Sequence, residues 1–154
     1  MTLKIDHLKG MQFSHGERDC YEILRDFYAD NFGLTLSAYA RPDGWWDKGM
    51  NLYMEHVYAE GFIQIEDHPL HWRPGDLILM AIRSPVANHS AIWLGQNQIL
   101  HHFIDRLSNV EMYRGLWKNT TVGVFRHQAL VDLPDLDLPT YNIMEDPAYA
   151  GRFK

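Results

Sequence analysis

The sequence predicts an α+β fold, in which helices come first along the chain and an antiparallel sheet follows. One observation is a helical apolar pattern that begins at Cys20. A second is an unbroken apolar run at residues 77–82, which has the length of a strand. A third is a pair of strand-like segments, 89–94 and 98–104, whose short connection at 95–97 predicts a β-hairpin. The chain of 154 residues is long enough to build one core around these elements.

The first helix is the most clearly marked element. Its apolar positions follow the spacing of one buried face, namely Cys20, Ile23, Leu24, Phe27 and Tyr28. Asp19 is a favoured N-cap residue, and Glu22 three positions later completes a pattern similar to a capping box. Gly33 suits the left-handed position that ends many helices. These signals predict a helix whose first residue is Cys20.

Turns and apolar runs predict the remaining elements. A second helix is expected over residues 48–59, ended by Gly61. The turn at 73–75 precedes the run at 77–82, which we interpret as a strand buried on both faces. A further strand is predicted over 120–126.

The last stretch of the chain differs in composition from the rest. Residues 130–154 contain three prolines, and their acidic side chains outnumber the basic ones. Prolines at this density exclude a long helix. We therefore expect one folded domain over 1–129 and an acidic, proline-containing tail over 130–154.

The overall composition excludes several classes of partner. The net charge is −6 and no stripe of lysine or arginine is visible, which argues against binding to nucleic acid. No apolar run approaches the ~20 residues that span a bilayer, so no membrane insertion is expected. The first ten residues lack the apolar core of a secretory signal, and no signal peptide is expected. The single cysteine excludes an intrachain disulfide and a four-thiolate zinc site.

Cys20 is a candidate nucleophile because of its position. A free thiol with a pKa of ~8.5 is mostly protonated at neutral pH. The partial positive charge and free N–H groups of a helix N-terminus favour the thiolate, and the same amides can contribute to an oxyanion hole. A lone cysteine is more often a buried apolar residue, and Cys20 also lies in register with the apolar face of the helix. The neighbouring residues must therefore decide between the two interpretations.

A cysteine nucleophile needs an imidazole that accepts its proton and a third group that orients the imidazole. Of the nine histidines, His89 begins one strand of the predicted hairpin, and His101 and His102 lie on the other. Side chains alternate faces, so an even register places His101 on the face of His89 and an odd register places His102 there. A three-residue connection favours His101 slightly, and pairing geometry alone leaves both open.

The same histidines suggest a zinc site as an alternative. His89 with His101 or His102, joined by His127 or His15, would supply three ligands. The chain has no H-E-x-x-H helix and no histidine–carboxylate cluster at short helical spacing. We therefore expect no metal and no cofactor.

Three motifs together resemble the NlpC-type cell-wall peptidases, a papain-like family of cysteine peptidases. They are Asp19-Cys20 at a helix start, Pro-Gly-Asp-Leu at 74–77, and the segment 89–95 with His101 after it. In that family an Asp-Cys pair opens the first core helix, and the base histidine begins an H-x-x-I-x-L-G strand. The resemblance implies a papain-like α+β fold, with the nucleophile at a helix N-terminus packed on an antiparallel sheet.

The resemblance also assigns catalytic roles. It implies that Cys20 is the nucleophile and His89 the base. The family's third catalytic residue lies twelve positions after the base, and that position is His101 in this chain. The choice between His101 and His102 rests on the resemblance.

Further segments look like the tail assembly peptidases of lambda-type phages and prophages. They are 19–28, 99–108, Tyr113, 115–117 and 124–127. The resemblance implies a murein endopeptidase that hydrolyses an amide bond in peptidoglycan stem peptides, with other tail-tip proteins as partners. It implies a place at the virion tail tip after assembly in the host cytoplasm. The alternatives are a structural tail-tip assembly factor with the same fold and a protease that processes another tail protein.

The chain departs from the family pattern around the nucleophile. Tyr21-Glu22 follows the cysteine where the family usually has Ser-Gly. Leu8 occupies the position, twelve residues before the cysteine, of a family tyrosine that shapes the oxyanion site. The expected substitutes for that tyrosine are Ser14 and His15.

Three further residues are expected to bind substrate. In the family the Asp before the cysteine helps to bind the free amine of a stem peptide, so Asp19 is expected to cap the helix and bind substrate. Trp45 and Trp46 either line a substrate groove or fill the edge of the core, and the sequence favours neither.

Overall fold

The computed structural model describes residues 2–133 and confirms the α+β class. The helices are α1 (Cys20–Phe32), α2 (Leu52–His56) and α3 (Leu116–Asn119), and the strands are β1 (Phe62–Gln64), β2 (Leu77–Met80), β3 (His89–Gly95), β4 (Gln98–His101), β5 (Asn109–Met112) and β6 (Thr121–His127). No helix in the described range is long and apolar enough to cross a membrane. The tail predicted over 130–154 lies, beyond residue 133, outside the described residues.

The six strands form one antiparallel sheet in the order β1-β6-β2-β3-β4-β5. Alternate side chains point to opposite faces, and each face is covered by its own apolar cluster. Helix α1 packs on one face, where Leu79, Ile92 and Leu100 point. Met80 and Ile99 point to the other face, where two tryptophans cover them. All four residues of β2 are therefore buried, as the unbroken apolar run predicts.

The predicted start and end of α1 are confirmed. The Asp19 carboxylate accepts a hydrogen bond from the Glu22 amide at 3.0 Å, which is the N-cap contact. Gly33 ends the helix in the left-handed region with φ 65°. Cys20 is consequently the first helical residue, where backbone N–H groups have no partner within the helix.

The hairpin has the even register, although its turn differs from the expected one. Only Gln96 and Asn97 separate β3 from β4, and both have positive φ angles. A register shift between Trp93 and Gly95 adds the residue that a two-residue turn lacks. Ala91 therefore lies opposite His101, and His101 shares the sheet face of His89, two residues before Ala91.

Several elements differ from the sequence prediction. The helix expected over 48–59 is shorter, because only Leu52–His56 is helical and turns continue to Gly61. The strand expected over 98–104 ends at His101. Strands β1 and β5 and helix α3 were not predicted, because each is only three or four residues long.

The Pro-Gly-Asp-Leu turn is an anchor between sheet and helix. Asp76 is almost fully buried, and its two carboxylate oxygens accept hydrogen bonds from Arg126, both at 2.8 Å. The Tyr28 hydroxyl of α1 donates to the Gly75 carbonyl at 2.7 Å. These contacts fix the position of α1, and so of Cys20, on the sheet.

Candidate active site

The Cys20 thiol lies at the start of α1, at the edge of a cleft of about 580 Å³. His89, Arg41 and Trp46 also line this cleft. The sulfur lies 3.0 Å from the Tyr53 hydroxyl and 3.8 Å from the Asn88 carbonyl oxygen. The thiol is therefore seated against the residue before His89, within the same cleft as the predicted base.

Tyr53 and Ser90 form a short hydroxyl chain beneath the thiol. The Ser90 hydroxyl donates to the Cys20 carbonyl at 3.0 Å. Ser90 Oγ lies 2.7 Å from the Tyr53 hydroxyl. Because the single Ser90 proton is already used, Tyr53 is the donor in that contact. The single thiol proton then has two possible acceptors, the Tyr53 oxygen and the Asn88 carbonyl oxygen, so Cys20 is a thiol in this arrangement.

The two predicted histidines are joined to each other and to a carboxylate. His89 Nε2 lies 2.8 Å from His101 Nδ1. His101 Nε2 lies 2.7 Å from the Glu111 carboxylate on β5. Both imidazoles are buried. The contact occupies Nε2 of His89, which leaves Nδ1 as the nitrogen that can accept a proton from Cys20.

Aromatic rings hold the two imidazoles in place. The Trp117 ring lies 4.5 Å from that of His101 and 5.8 Å from that of His89, between ring centroids. Phe103 meets the His89 ring edge-on at 5.2 Å. Side chains packed in this way have few alternative rotamers, so the hydrogen bond between the imidazoles keeps its direction.

The surroundings of the Cys20 thiol act against the effect expected from its helix position. Burial, followed by the charge of Asp19, raises the pKa of Cys20 to about 11. Burial also holds the pKa of His89 well below its ordinary value. Both shifts favour the uncharged forms of Cys20 and His89.

Asp19 is fully engaged within the protein. One carboxylate oxygen caps α1, and the other accepts hydrogen bonds from the Gly16 amide at 3.0 Å and from Arg41 Nε at 2.7 Å. The Asp19 and Arg41 side chains are only 4% and 7% exposed. The capping role is confirmed, and the substrate amine expected at Asp19 would have to compete with a buried guanidinium.

The other expected substrate ligands lie in three kinds of place: in the cleft, outside it, and at the border between the cleft and the core. His15 and Trp46 line the cleft, while the Ser14 hydroxyl donates to Glu17 outside it. Trp45 is buried and packs edge-on against Tyr53, so it belongs to the core as well as to the cleft wall. The hydroxyl that contacts the thiol is that of Tyr53, rather than that of Ser14.

His102 is excluded from the imidazole pair by its direction. It packs against Phe13 and hydrogen-bonds the Arg106 carbonyl at 2.9 Å, on the α1 side of the sheet.

The sequence reasoning missed Tyr53, Ser90 and Glu111. Ser90 could have been found from the sequence, because it is a polar residue inside the predicted strand 89–94, whereas Glu111 lies on a strand that was not predicted.

Comparison with known proteins identifies the family. The model of the NlpC/P60 family matches residues 10–126. The chain is 39% identical to the tail tip assembly protein K of Escherichia phage lambda over 81% of this chain and 61% of that protein. It is 29% identical to the protein of the same name from Escherichia phage N15, over 75% of this chain and 47% of that protein. The chain thus spans about half to three-fifths of the length of these relatives.

A solved structure supports the fold. The crystal structure of a protein from Staphylococcus aureus, described as similar to a lipoprotein of the NLP/P60 family, superposes with a TM-score of 0.57. The superposition covers 79% of this chain and 38% of that chain at 19% sequence identity. Since the family model spans nearly all of the sheet and helix α1, the chain belongs to the NlpC/P60 family.

Proposed function

We propose that this protein is a cysteine peptidase in which Cys20 is the nucleophile, His89 the base and His101 the residue that orients the base. The observation that carries the proposal is the buried His89–His101 hydrogen bond of 2.8 Å, at the wall of the cleft that Cys20 also lines. A nucleophile, a base and an orienting group in this order are the parts that acyl transfer requires.

The proposed reaction begins with two neutral partners. As the sulfur attacks the carbonyl carbon of an amide, the thiol proton passes to Nδ1 of His89. The C–N bond then breaks, the leaving amine takes the proton from His89, and a thioester remains on Cys20. Water attacks the thioester with His89 again as base, which releases the acid and restores the thiol. Because burial raises the pKa of Cys20 to about 11, the proposed reaction transfers the proton as the sulfur attacks.

The proposed oxyanion hole combines the Cys20 amide with the Tyr53 hydroxyl. The amide belongs to the first residue of α1 and has no partner within the helix. The Tyr53 oxygen lies 3.0 Å from the sulfur, and burial holds its pKa well above the ordinary value, so the hydroxyl stays protonated. Turning that proton from Ser90 toward the substrate oxygen would supply the second donor.

The proposed substrate is a peptidoglycan stem peptide, cleaved at the bond between D-Glu and the diamino acid. Membership of the NlpC/P60 family supports this substrate class. The names of the phage lambda and N15 relatives support a role in tail tip assembly, with other tail proteins as partners and the virion tail as location.

Purified muropeptides test the proposal directly. Muropeptides would be incubated with the wild-type protein and with the Cys20→Ala, His101→Gln and His102→Gln variants. The products would be identified by mass spectrometry. We expect cleavage by wild type, none by Cys20→Ala, at least a 100-fold loss for His101→Gln and less than a tenfold loss for His102→Gln. Equal cleavage by wild type and a folded Cys20→Ala variant would refute the proposal.

A structural assembly factor is the second candidate, and two observations favour it. The relatives are named for tail assembly, and burial raises the pKa of the Cys20 thiol to about 11. Iodoacetamide at pH 7 separates the candidates, because a thiol assisted by His89 is alkylated in the folded protein and an inert one only after unfolding. His89→Gln should then slow alkylation if the base acts on Cys20.

A third candidate, processing of another tail protein, is tested by offering tail-tip proteins in place of muropeptides.

A further inference from the structure

A chain of two hydrogen bonds leads from the proposed base to a carboxylate on the far edge strand. His89 Nε2 contacts His101 Nδ1 at 2.8 Å, and His101 Nε2 contacts Glu111 Oε2 at 2.7 Å. The His89 and His101 residues are 4% and 3% exposed, whereas the Glu111 side chain is 33% exposed. Glu111 therefore connects a dry pair of imidazoles to a partly solvated negative charge.

Strand pairing explains why Glu111 reaches His101. In the register of β4 with β5, Glu111 lies opposite Ile99, two residues before His101 on the same face. Diagonal neighbours on one face are within reach of a long side chain. The contact between Glu111 and His101 therefore follows from the register in which the edge strand β5 pairs with β4.

The carboxylate is ionised at neutral pH. The hydrogen bond from His101 is the main reason that the pKa of Glu111 lies below its ordinary value, and the nearby Arg106 acts in the same direction. Arg114 lines the same groove as Glu111, and Trp117 borders it. The charged groups around Glu111 on β5 and the neighbouring loops are thus cationic, which keeps the carboxylate an acceptor.

When His101 is neutral, an ionised carboxylate at Glu111 fixes the direction of each proton in the chain. It can only accept, so His101 must carry its proton on Nε2. Nδ1 of neutral His101 is then an acceptor, and His89 must carry its own proton on Nε2. Nδ1 of His89 is left with a lone pair, which is the state a base needs. The opposite tautomer of His101 would instead force a proton onto Nδ1 of His89 and leave it unable to accept one.

We propose that Glu111 is a positioning residue that sets the tautomers of His101 and His89 and so makes His89 a base toward Cys20. Its role in turnover rests on the proposed peptidase function, whereas its effect on the tautomers does not. Glu111 is absent from the described residues that line the Cys20 cleft, so it acts through His101 and not on the substrate.

Nitrogen-15 NMR of histidine-labelled protein measures the tautomers directly. The variants are Glu111→Met, which removes the acceptor, and Glu111→Gln, which keeps the shape and an acceptor oxygen but loses the charge. Glu66→Gln, at a carboxylate that is 76% exposed and pairs with His71, is the control. His89→Gln and His101→Gln assign the signals.

We expect both imidazoles to carry the proton on Nε2 in wild type and in Glu66→Gln. In Glu111→Met we expect a mixture that includes His101 protonated on Nδ1, with Glu111→Gln intermediate. With muropeptides, kcat should fall about 10- to 100-fold in Glu111→Met while KM changes little, since the variant loses the charged acceptor for His101 and Trp117 but no substrate contact.

Wild-type tautomers in Glu111→Met, or a wild type with the proton on Nδ1 of His89, would overturn the inference. Absence of muropeptide cleavage by every form, together with the expected tautomers, would instead refute the proposed peptidase function and leave the role of Glu111 intact. The two failures are therefore distinguishable.

Discussion

The buried Asp19–Arg41 pair offers a quantitative test of how the nucleophile is positioned. Replacing Arg41 with methionine keeps much of its volume and removes the charge opposite Asp19. Arg41 Nε donates to Asp19 at 2.7 Å, and the same guanidinium donates to the Tyr39 and Gly16 carbonyls at 2.9 and 3.0 Å. The substitution therefore removes the cation beside a buried carboxylate and the donor of two carbonyls, and it also breaks the contact between Arg41 and the Glu22 carboxylate at 3.3 Å.

The expected loss follows from burial. The two side chains are 4% and 7% exposed, so the carboxylate gains little water in the variant. Breaking a buried ion pair by removal of one partner costs about 3–5 kcal/mol. Asp19 keeps the amides of Gly16 and Glu22, and we therefore expect a loss near the lower end, about 3 kcal/mol, from a total stability on the order of 5–15 kcal/mol.

Urea unfolding followed by circular dichroism measures this loss. Lys9→Met is the matched control, because the Lys9–Asp6 pair is 36% and 92% exposed and should contribute less than about 1 kcal/mol. The double variant Asp19→Asn/Arg41→Met should recover much of the stability, since asparagine still caps α1 and no charge remains buried.

A loss below about 1 kcal/mol for Arg41→Met, equal to that of Lys9→Met, would refute the reasoning. It would mean that Asp19 is solvated or neutralised by other groups. A double variant as unstable as Arg41→Met would also contradict it, because the cost would then arise from lost packing and not from an unpaired charge.

Three further predictions concern the site and its surroundings. Tyr53→Phe should lower the rate of muropeptide hydrolysis about 100-fold and slow iodoacetamide alkylation far less, because alkylation forms no oxyanion. Equal effects on both rates would exclude an oxyanion role for Tyr53. Burial holds the pKa of His89 below its unfolded value of 6.5, so the stability of the protein should fall as the pH drops below about 6.5. The expected fall is at most about 1.4 kcal/mol per pH unit, and urea unfolding of His89→Gln should show a flatter dependence on pH. Gly61→Ala should destabilise the protein by more than about 1 kcal/mol in the same assay, because Gly61 has φ +97° and a Cβ there would lie 2.7 Å from His127 Nε2. A neutral effect would mean that the His127 ring moves away easily.

Local signals made the first helix predictable from the sequence. Asp19, the apolar spacing from Cys20 and Gly33 all act within the helix itself, and each is found in its expected role. The double-faced strand β2 was predictable for a similar reason, since burial on both faces leaves no polar residue in the run. Such features depend on the segment alone and need no knowledge of its neighbours.

The partners of the candidate site depend on tertiary contacts and could not be predicted in the same way. Tyr53 is 33 positions from Cys20, and Arg41 is 22 positions from Asp19. Neither residue belongs to a motif, because only the packing of the segment before β1 brings them to the start of α1. The raised pKa of Cys20 could not be predicted for a related reason: the helix N-terminus is visible in the sequence, and the burial that opposes its effect is not.

The geometry of the site follows from where β3 begins. Ser90 points to the α1 face of the sheet and hydrogen-bonds the Cys20 carbonyl, whereas His89 points to the opposite face, toward His101 and Trp117. The nucleophile and the imidazole pair thus lie on different faces and can meet only at the end of the sheet, where the first residue of β3 borders both. Asn88 fixes this end, because its side chain bonds both the amide and the carbonyl of Ile82 at 2.8 and 2.9 Å. The even register of the hairpin is therefore a requirement of the proposed mechanism, since a shift of one residue would move the partner of His89 to the α1 side.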